Sequence, residues 1–100
     1  MATDPTTQAD EDAALMMRVR DGDRAAFARL YDRNARSVVS FAYRFVQDRA
    51  KAEELAQEVF LKVFRSAKDY EPRARFKTFL FRIASNHCLN ERRRGEYKIE

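Results

Sequence analysis

The chain has no tryptophan, and only one cysteine, two glycines and two prolines occur among its 100 residues. The single cysteine, Cys88, excludes an internal disulfide and fits a reducing compartment. Neither proline interrupts a stretch of helical periodicity, because Pro5 lies near the N-terminus and Pro72 lies in a polar stretch. No apolar run approaches the roughly 20 residues that cross a bilayer, and no signal-peptide pattern follows Met1. These absences predict a cytoplasmic protein without membrane insertion.

The residues that remain are mostly helix formers, with Ala, Leu, Arg, Glu and Phe prominent. One hundred residues suffice for one domain with one modest core. The net charge of +4 is unevenly spread: residues 1–23 carry six acids and two bases, whereas residues 71–100 carry eight bases and four acids. A basic C-terminal third favours a polyanionic partner, although an ordinary solvated surface has the same composition.

Apolar residues recur at steps of three and four along most of the chain, which is the periodicity of amphipathic helices. The pattern predicts an all-α fold, a small bundle of three long helices plus a short N-terminal helix. The predicted helices run approximately over residues 12–20, 24–46, 49–68 and 75–93.

Polar residues and glycines mark where these helices begin and end. Asp21 and Gly22 separate the first helix from the second. Asp23 and Asp48 are placed to cap the second and third helices, because a carboxylate there can accept the unpaired N–H groups of the first turn. Gly95 is the expected stop of the last helix.

The third helix carries an acidic and amide cluster on its outer side. If Leu55 and Val63 point into the core, the residues facing outward include Glu54, Gln57, Glu58 and Leu61. Two glutamates one turn apart repel each other mildly. Two interpretations fit, a solvated helix face or a docking surface for a partner that presents Arg or Lys, to which Leu61 would add desolvated contact.

The fourth helix and the loop before it combine bases, aromatic rings and amides. Cations can hold phosphates, rings can replace base stacking worth about 1–3 kcal/mol per base, and Asn can pair with a base edge. Phe79 and Phe81 do not both fit the inner stripe, so at least one is expected to be accessible. The alternative is that both are buried and that Arg92, Arg93 and Arg94 simply favour a helix C-terminus.

No catalytic or metal-binding motif accompanies these surfaces. His87 and Cys88 lack partner ligands at metal spacing, and adjacent helical residues diverge by about 100°, too far for a nucleophilic pair. His87 is therefore predicted to be a semi-buried packing residue and Cys88 an ordinary small one. The sequence has no Gly-rich phosphate loop and no nucleophile elbow. We expect no enzyme, no cofactor and no bound metal.

Two stretches of the chain together resemble region 2 of a bacterial RNA polymerase sigma factor of the extracytoplasmic-function group. Residues 51–65 are similar to the family pattern D-A-E-D-L-x-Q-E-x-F-L-x-x-W-R, and residues 76–86 to F-x-x-W-L-x-x-I-A-x-N. The resemblance extends from about Asp12 to Arg94. Phe64 and Phe79 stand where the family commonly has Trp, so they preserve stacking but lack the indole donor.

The resemblance implies a part in transcription initiation for each surface. Glu54, Gln57, Glu58 and Leu61 would dock on the coiled-coil clamp helices of the β′ subunit of the RNA polymerase core. The loop Asp69–Ala74 would accept a base flipped out of the promoter −10 element. The residues that contact the non-template single strand and the upstream end of that element would be Tyr70, Arg73, Arg75, Lys77, Phe79, Arg82, Asn86, Asn90 and Arg93.

The resemblance also implies a division of the chain. Residues 1–10 would be a disordered tail, residues 11–94 the helical domain, and residues 95–100 the start of a linker to a missing C-terminal domain. Two other classes of function stay open. One is a sigma-like interaction module that binds polymerase or an anti-sigma factor without melting DNA. The other is a generic helix-turn-helix duplex binder, which the absence of a short Gly-containing turn between brief helices disfavours.

Overall fold

The computed structural model describes residues 5–73 and 75–98, with side chains for residues 11–73 and 75–95. Helices without any strand make up the fold over these residues, which confirms the predicted all-α bundle. The helices, in chain order, are α1 (Pro5–Arg20), α2 (Arg24–Val46), α3 (Arg49–Arg65), a 3₁₀ helix (Ala67–Asp69) and α4 (Phe76–Lys98).

The starts of α2 and α3 and the turn between α1 and α2 lie at the residues predicted from the sequence. Asp23 Oδ1 accepts a hydrogen bond from the Ala26 N–H at 3.1 Å, and Asp48 Oδ1 accepts one from the Lys51 N–H at 3.2 Å. The backbone bond from Ala26 is also the main cause that lowers the pKa of Asp23. Gly22 has φ +98°, a conformation open to glycine at little cost, and so lets the chain reverse between α1 and α2.

The core lies where α2 packs against the other three helices. The buried residues of α1, α2 and α3 recur at steps of three and four, as the apolar periodicity predicts. Rings of α2 and α3 meet edge to face, with the Tyr31 and Phe60 centroids 4.9 Å apart. None of the helices in the described part of the chain is long and apolar enough to span a membrane. The fully enclosed side chains include Met16, Leu30, Val38, Leu55, Val59, Phe60, Val63, Phe76 and Leu80.

The N-terminal helix is longer than the sequence pattern predicts. It begins at Pro5 rather than near Asp12, so residues 5–10 of the expected disordered tail have helical backbone, while residues 1–4 lie outside the described part. Proline fits the first turn of a helix because its missing N–H would be unpaired there anyway. A helix already nucleated by packed residues gains one hydrogen bond per added residue, so this extension needs no apolar stripe.

The ends of α3 and α4 also differ from the prediction. The third helix ends at Arg65, although residues 66–68 were expected to continue it, and residues 67–69 form the 3₁₀ helix. The fourth helix continues through Gly95 to Lys98, so the expected stop is wrong and residues 95–98 of the expected linker are helical. A glycine ends a helix only where it adopts a left-handed conformation, and Gly95 does not. Residues 99 and 100 lie outside the described part.

One pair of substitutions on α3 separates the buried face from the exposed one. Leu55→Ala removes a fully enclosed side chain and should lower the free energy of unfolding by about 2–5 kcal/mol. Leu61→Ala truncates a side chain that is 51% exposed and should change it by less than about 0.5 kcal/mol. Urea denaturation of both variants measures the difference. Equal losses would mean that the orientation of α3 is wrong.

Candidate functional site

The predicted docking surface lies on the solvent side of α3. We call Glu54, Gln57, Glu58 and Leu61 together the acidic face. Glu54, Gln57 and Leu61 are exposed. Glu54 lies 3.9 Å from Lys51 Nζ, an exposed pair that contributes little and leaves the carboxylate available. An apolar side chain therefore stands among acidic and amide groups on an open surface.

Glu58 differs from the rest of the acidic face because it also contacts α4. Its Oε1 lies 2.7 Å from Nε2 of His87. The His87 side chain is only 11% exposed, which confirms the predicted semi-buried histidine, whereas the Glu58 side chain is 39% exposed. The pair joins residues 29 positions apart, so no local pattern could reveal it. The acidic face thus borders directly on α4.

Glu58, His87 and Glu91 form the one group in the described part of the chain whose ligand atoms could surround a metal ion. The sequence showed no such spacing, because Glu58 comes from a different helix. Glu91 already lies 3.0 Å from Arg94 Nη1 and 3.8 Å from Lys51 Nζ. Cations therefore neutralise the carboxylate that a divalent ion would need. We assign no metal to this group.

A basic groove runs between α3 and α4 beside the acidic face. It has a volume of about 430 Å³ and brings together the two predicted base-contacting amides, Asn86 and Asn90. Lys62 and Arg65 of α3 also line it, and the sequence analysis missed both. A signal existed, since they lie four and seven residues after Glu58 and so share its side of the helix. We call this the α3–α4 groove, lined by Lys62, Arg65, Ser66, Ile83, Asn86, His87 and Asn90.

Arg93 adjoins this groove, and three other predicted cations are exposed. Arg93 lines an adjoining cavity with Lys62 and Asn90, and Arg82 is exposed one turn before Asn86. Arg73 and Arg75 are exposed in the segment before α4, whose Ala74 lies outside the described part.

Lys77 is exposed, and its amine also contacts a buried side chain of α2. Its Nζ donates to Oδ1 of Asn34 at 3.4 Å, while Asn34 Nδ2 donates to the Leu30 carbonyl at 3.0 Å. Asn34 is buried, and these two bonds satisfy its amide. The lysine therefore anchors the first turn of α4 to α2 as well as adding charge.

The two aromatic residues predicted to contact DNA are buried, so neither ring is open to solvent for stacking. Tyr70 is 1% exposed and Phe79 is 9% exposed, with ring centroids 5.2 Å apart at 71°. Burial, together with the charge of Asp12, raises the pKa of Tyr70. Phe79 is enclosed because it lies one turn after Phe76 and next to Leu80, both of them core residues. The two rings pack the end of the 3₁₀ helix against the first turn of α4.

Of the pair Phe79 and Phe81, Phe81 is the residue with a partly accessible ring. Its ring packs on Phe41 of α2 with centroids 5.4 Å apart, beside a cavity that Arg36 and Arg44 also line. This surface lies between α2 and α4, away from the α3–α4 groove. The expectation that at least one of the two phenylalanines is accessible is thus met by Phe81 and not by Phe79.

Cys88 is fully buried against α2 and α3, and burial raises the pKa of its thiol. Less thiolate exists at neutral pH than for a free cysteine, and reagents have little access.

The native chain should therefore react with a thiol reagent such as iodoacetamide far more slowly than the urea-unfolded chain. Mass spectrometry of timed samples measures the ratio, and equal rates would contradict the buried position.

The fold and these surfaces define a small helical binding domain with an acidic docking face next to a basic, amide-bearing groove. The Sigma-70 region 2 family model matches residues 30–96, more than half of the chain. This match covers most of α2, all of α3 and most of α4. The chain therefore belongs to the Sigma-70 region 2 family.

Curated relatives agree with this assignment. The RNA polymerase sigma-H factor of Pseudomonas aeruginosa is 35% identical over 81 residues, which cover 81% of this chain and 42% of that protein. The RNA polymerase sigma factor CarQ of Myxococcus xanthus is 46% identical over 71 residues, covering 71% of this chain and 41% of that protein. The chain thus spans about two-fifths of the length of these relatives.

A solved structure supports the same fold. It is the complex of an engineered region 2 of sigmaE with GTAAAA, determined by NMR. The TM-score is 0.82 at 31% sequence identity, and the match covers 89% of this chain and 93% of that chain. The helical arrangement described above is therefore that of sigma region 2.

Proposed function

We propose that this chain is a transcription-initiation domain that docks on RNA polymerase and reads the promoter −10 element as a single strand. The observation that carries the proposal is the α3–α4 groove, in which Asn86 and Asn90 lie beside Lys62 and Arg65. Amides can discriminate bases, and cations can hold the adjoining phosphates. The role is one of binding, without a catalytic step, and it implies a cytoplasmic location.

Docking is assigned to the acidic face, with the β′ coiled coil of the polymerase core as the proposed partner. Exposed carboxylates around Leu61 suit a partner rich in Arg and Lys, because such charges speed the encounter while the leucine supplies desolvated contact. An anti-sigma factor that bound the same surface would block the binding of polymerase. The alternative of an interaction module without DNA binding does not account for the α3–α4 groove.

Charge reversal at Glu54 tests the docking surface. Glu54→Lys should weaken binding to a β′ coiled-coil fragment by about tenfold or more, since it replaces attraction with repulsion at the contact. Glu54 is preferable to Glu58, whose reversal would also break the contact with His87. Surface plasmon resonance with immobilised fragment measures the affinity.

Asp32→Lys is the matched control for this experiment, because it makes the same change of charge at an exposed position on α2. Its affinity for the fragment should stay within about twofold of wild type, because Asp32 lies on a different helix from the acidic face. If both reversals weaken binding equally, only net charge matters and the docking assignment is wrong.

The groove is tested with fluorescently labelled single strands six nucleotides long. GTAAAA, the strand bound by the sigmaE domain, is the first probe, followed by strands selected by this chain from a randomised pool. Asn86→Ala should reduce the preference for the selected strand over its permutation by about tenfold, as a lost base contact costs ~1–3 kcal/mol. Fluorescence anisotropy measures both affinities.

Lys62→Gln should act differently from Asn86→Ala. It should weaken binding to all strands alike. It should also lower the slope of log affinity against log salt concentration by about 0.7, the value for one phosphate contact on a single strand. Arg29→Gln is the control, since Arg29 is an exposed base of α2 that does not line the groove. Identical salt slopes for wild type and Lys62→Gln would remove Lys62 from the interface. A wild-type chain that selects no strand would favour the interaction-module alternative.

A further inference from the structure

A second basic surface lies between α2 and α4, and it shares no lining residue with the α3–α4 groove. It has a volume of about 440 Å³, close to the 430 Å³ of that groove. We call it the α2–α4 surface, lined by Arg36, Ser37, Ser40, Phe41, Arg44 and Phe81. Neither the docking assignment nor the base-contacting assignment uses these residues.

The charge on the α2–α4 surface is of one sign. Arg36 and Arg44 are exposed, and neither has an ion-pair partner among the residues whose side chains the structure describes. No acidic residue occurs within residues 33–47 or 75–90, the stretches that carry this surface. The exposed hydroxyls of Ser37 and Ser40 lie beside the arginines and can also donate to phosphate. The surface therefore suits a polyanion.

Aromatic rings accompany these cations. Phe41 packs on Phe81 with centroids 5.4 Å apart and on Phe45 with centroids 5.2 Å apart. All three rings are partly exposed. Rings that neighbouring rings already hold can stack on a base with little further loss of conformational entropy. A duplex keeps its bases inside the stack, so the polyanion that fits both the cations and the rings is a single strand.

The spacing of the two arginines fits a short run of nucleotides. Eight residues of helix separate Arg36 from Arg44, which is about 12 Å at 1.5 Å per residue. Stacked nucleotides advance about 3.4 Å each, so three or four of them cover that distance. Phe41 lies between the two arginines along α2, so phosphates can be held at both ends while bases contact the rings.

Arg82 connects the α2–α4 surface with the α3–α4 groove. It is exposed, directly follows Phe81 and lies one turn before Asn86. A strand bound in the groove can therefore pass over Arg82 to reach the second surface. A helix is about 10–12 Å wide, so the crossing takes three or four nucleotides more. A strand of six nucleotides is too short to fill both surfaces.

We propose that the α2–α4 surface is a second single-strand site, which takes nucleotides that continue beyond the α3–α4 groove. The inference rests on the proposed function and adds to it a surface that it leaves without a ligand. Phosphate contacts and stacking supply the binding. Neither kind of contact reads a base edge, so this site adds affinity without a choice of base.

Extended strands test the second site. The selected six-nucleotide strand is lengthened by about eight thymidines, enough for the crossing and the site, at its 5′ end or at its 3′ end. One of the two extended strands should bind the wild-type chain about tenfold more tightly than the six-nucleotide strand, because it gains phosphate and stacking contacts. Fluorescence anisotropy measures the three affinities. If neither extension improves binding, the inference is wrong.

The double variant Arg36→Gln/Arg44→Gln should abolish this gain. For the extended strand, the slope of log affinity against log salt concentration should fall by about 1.4, twice the single-strand value for one phosphate. Affinity for the six-nucleotide strand should stay within about twofold of wild type, because that strand fills only the groove. Arg24→Gln/Arg29→Gln is the matched control, since both are exposed bases of α2 that line neither surface. Equal losses in the two double variants would leave net charge as the cause and overturn the site.

Phe81→Leu tests the contribution of the rings. It keeps an apolar side chain against Phe41 but removes the ring, and it should reduce the gain from the extension by about fivefold. Circular dichroism checks that the variant folds, and if it does not, the arginine variants decide the test. An unchanged gain in the folded variant would exclude stacking. An equal wild-type gain with the extension annealed to its complement would show a site for duplex backbone. Either result would overturn the single-strand site.

The outcomes separate the second site from the proposed function. A wild-type chain that selects no strand would overturn the proposed function and the second site with it. A wild-type chain that selects a six-nucleotide strand and gains nothing from either extension would overturn the second site alone. The unpaired arginines would then indicate an acidic protein partner instead.

Discussion

Burial of one stripe of α3 is the constraint on which both recognition surfaces depend. Leu55 and Val63 are fully enclosed, and a helix has 3.6 residues per turn, so the directions of all other side chains follow. Leu61 must then face solvent, while Glu58 and Lys62 must face α4. A rotation of α3 about its axis would bury charges, which the interior cannot accommodate without partners. The hydrophobic effect thus orients groups that are not themselves hydrophobic.

One consequence is that the acidic face and the α3–α4 groove meet along a shared edge. Glu58 and Lys62 are one turn apart on α3, and His87 joins Glu58 to the helix that carries the amides. Opposite charges at this spacing attract each other, so the boundary between a negative and a positive surface is itself stabilising. Under the proposed function, the polymerase and the single strand would therefore contact different side chains of neighbouring surfaces.

A second consequence concerns the aromatic residues at the start of α4. The rings of Tyr70 and Phe79 are buried, whereas exposed rings would have offered stacking to a base. Edge-to-face packing fixes the relative orientation of the two rings, and Arg20 of α1 donates to the Tyr70 carbonyl at 3.5 Å. The two rings therefore join the end of the 3₁₀ helix to the first turn of α4.

The amphipathic stripes and caps were readable from the sequence, because they depend on neighbours within a turn or two. Asp23 and Asp48 cap as predicted, and every residue predicted for the inner face of α3 is buried. Helix ends were predicted less accurately. Gly95 would end α4 only if its backbone adopted a left-handed conformation, and composition does not decide whether it does. The α2 range Arg24–Val46 was predicted as observed, because a cap and a strong stripe coincide there.

The sequence by itself determined which residues form helices, which face of each helix is apolar, and which residue types are available for docking and for DNA. Only the tertiary structure decided which of them meet. It brought His87 to Glu58, Lys62 and Arg65 to the amides of α4, and Arg20 of α1 to the carbonyl of Tyr70. The physical reason is that periodicity gives the direction in which a side chain points from the axis of its own helix. A contact between two helices depends in addition on how far each helix is rotated about its axis and shifted along it. Those are set by packing of the whole core.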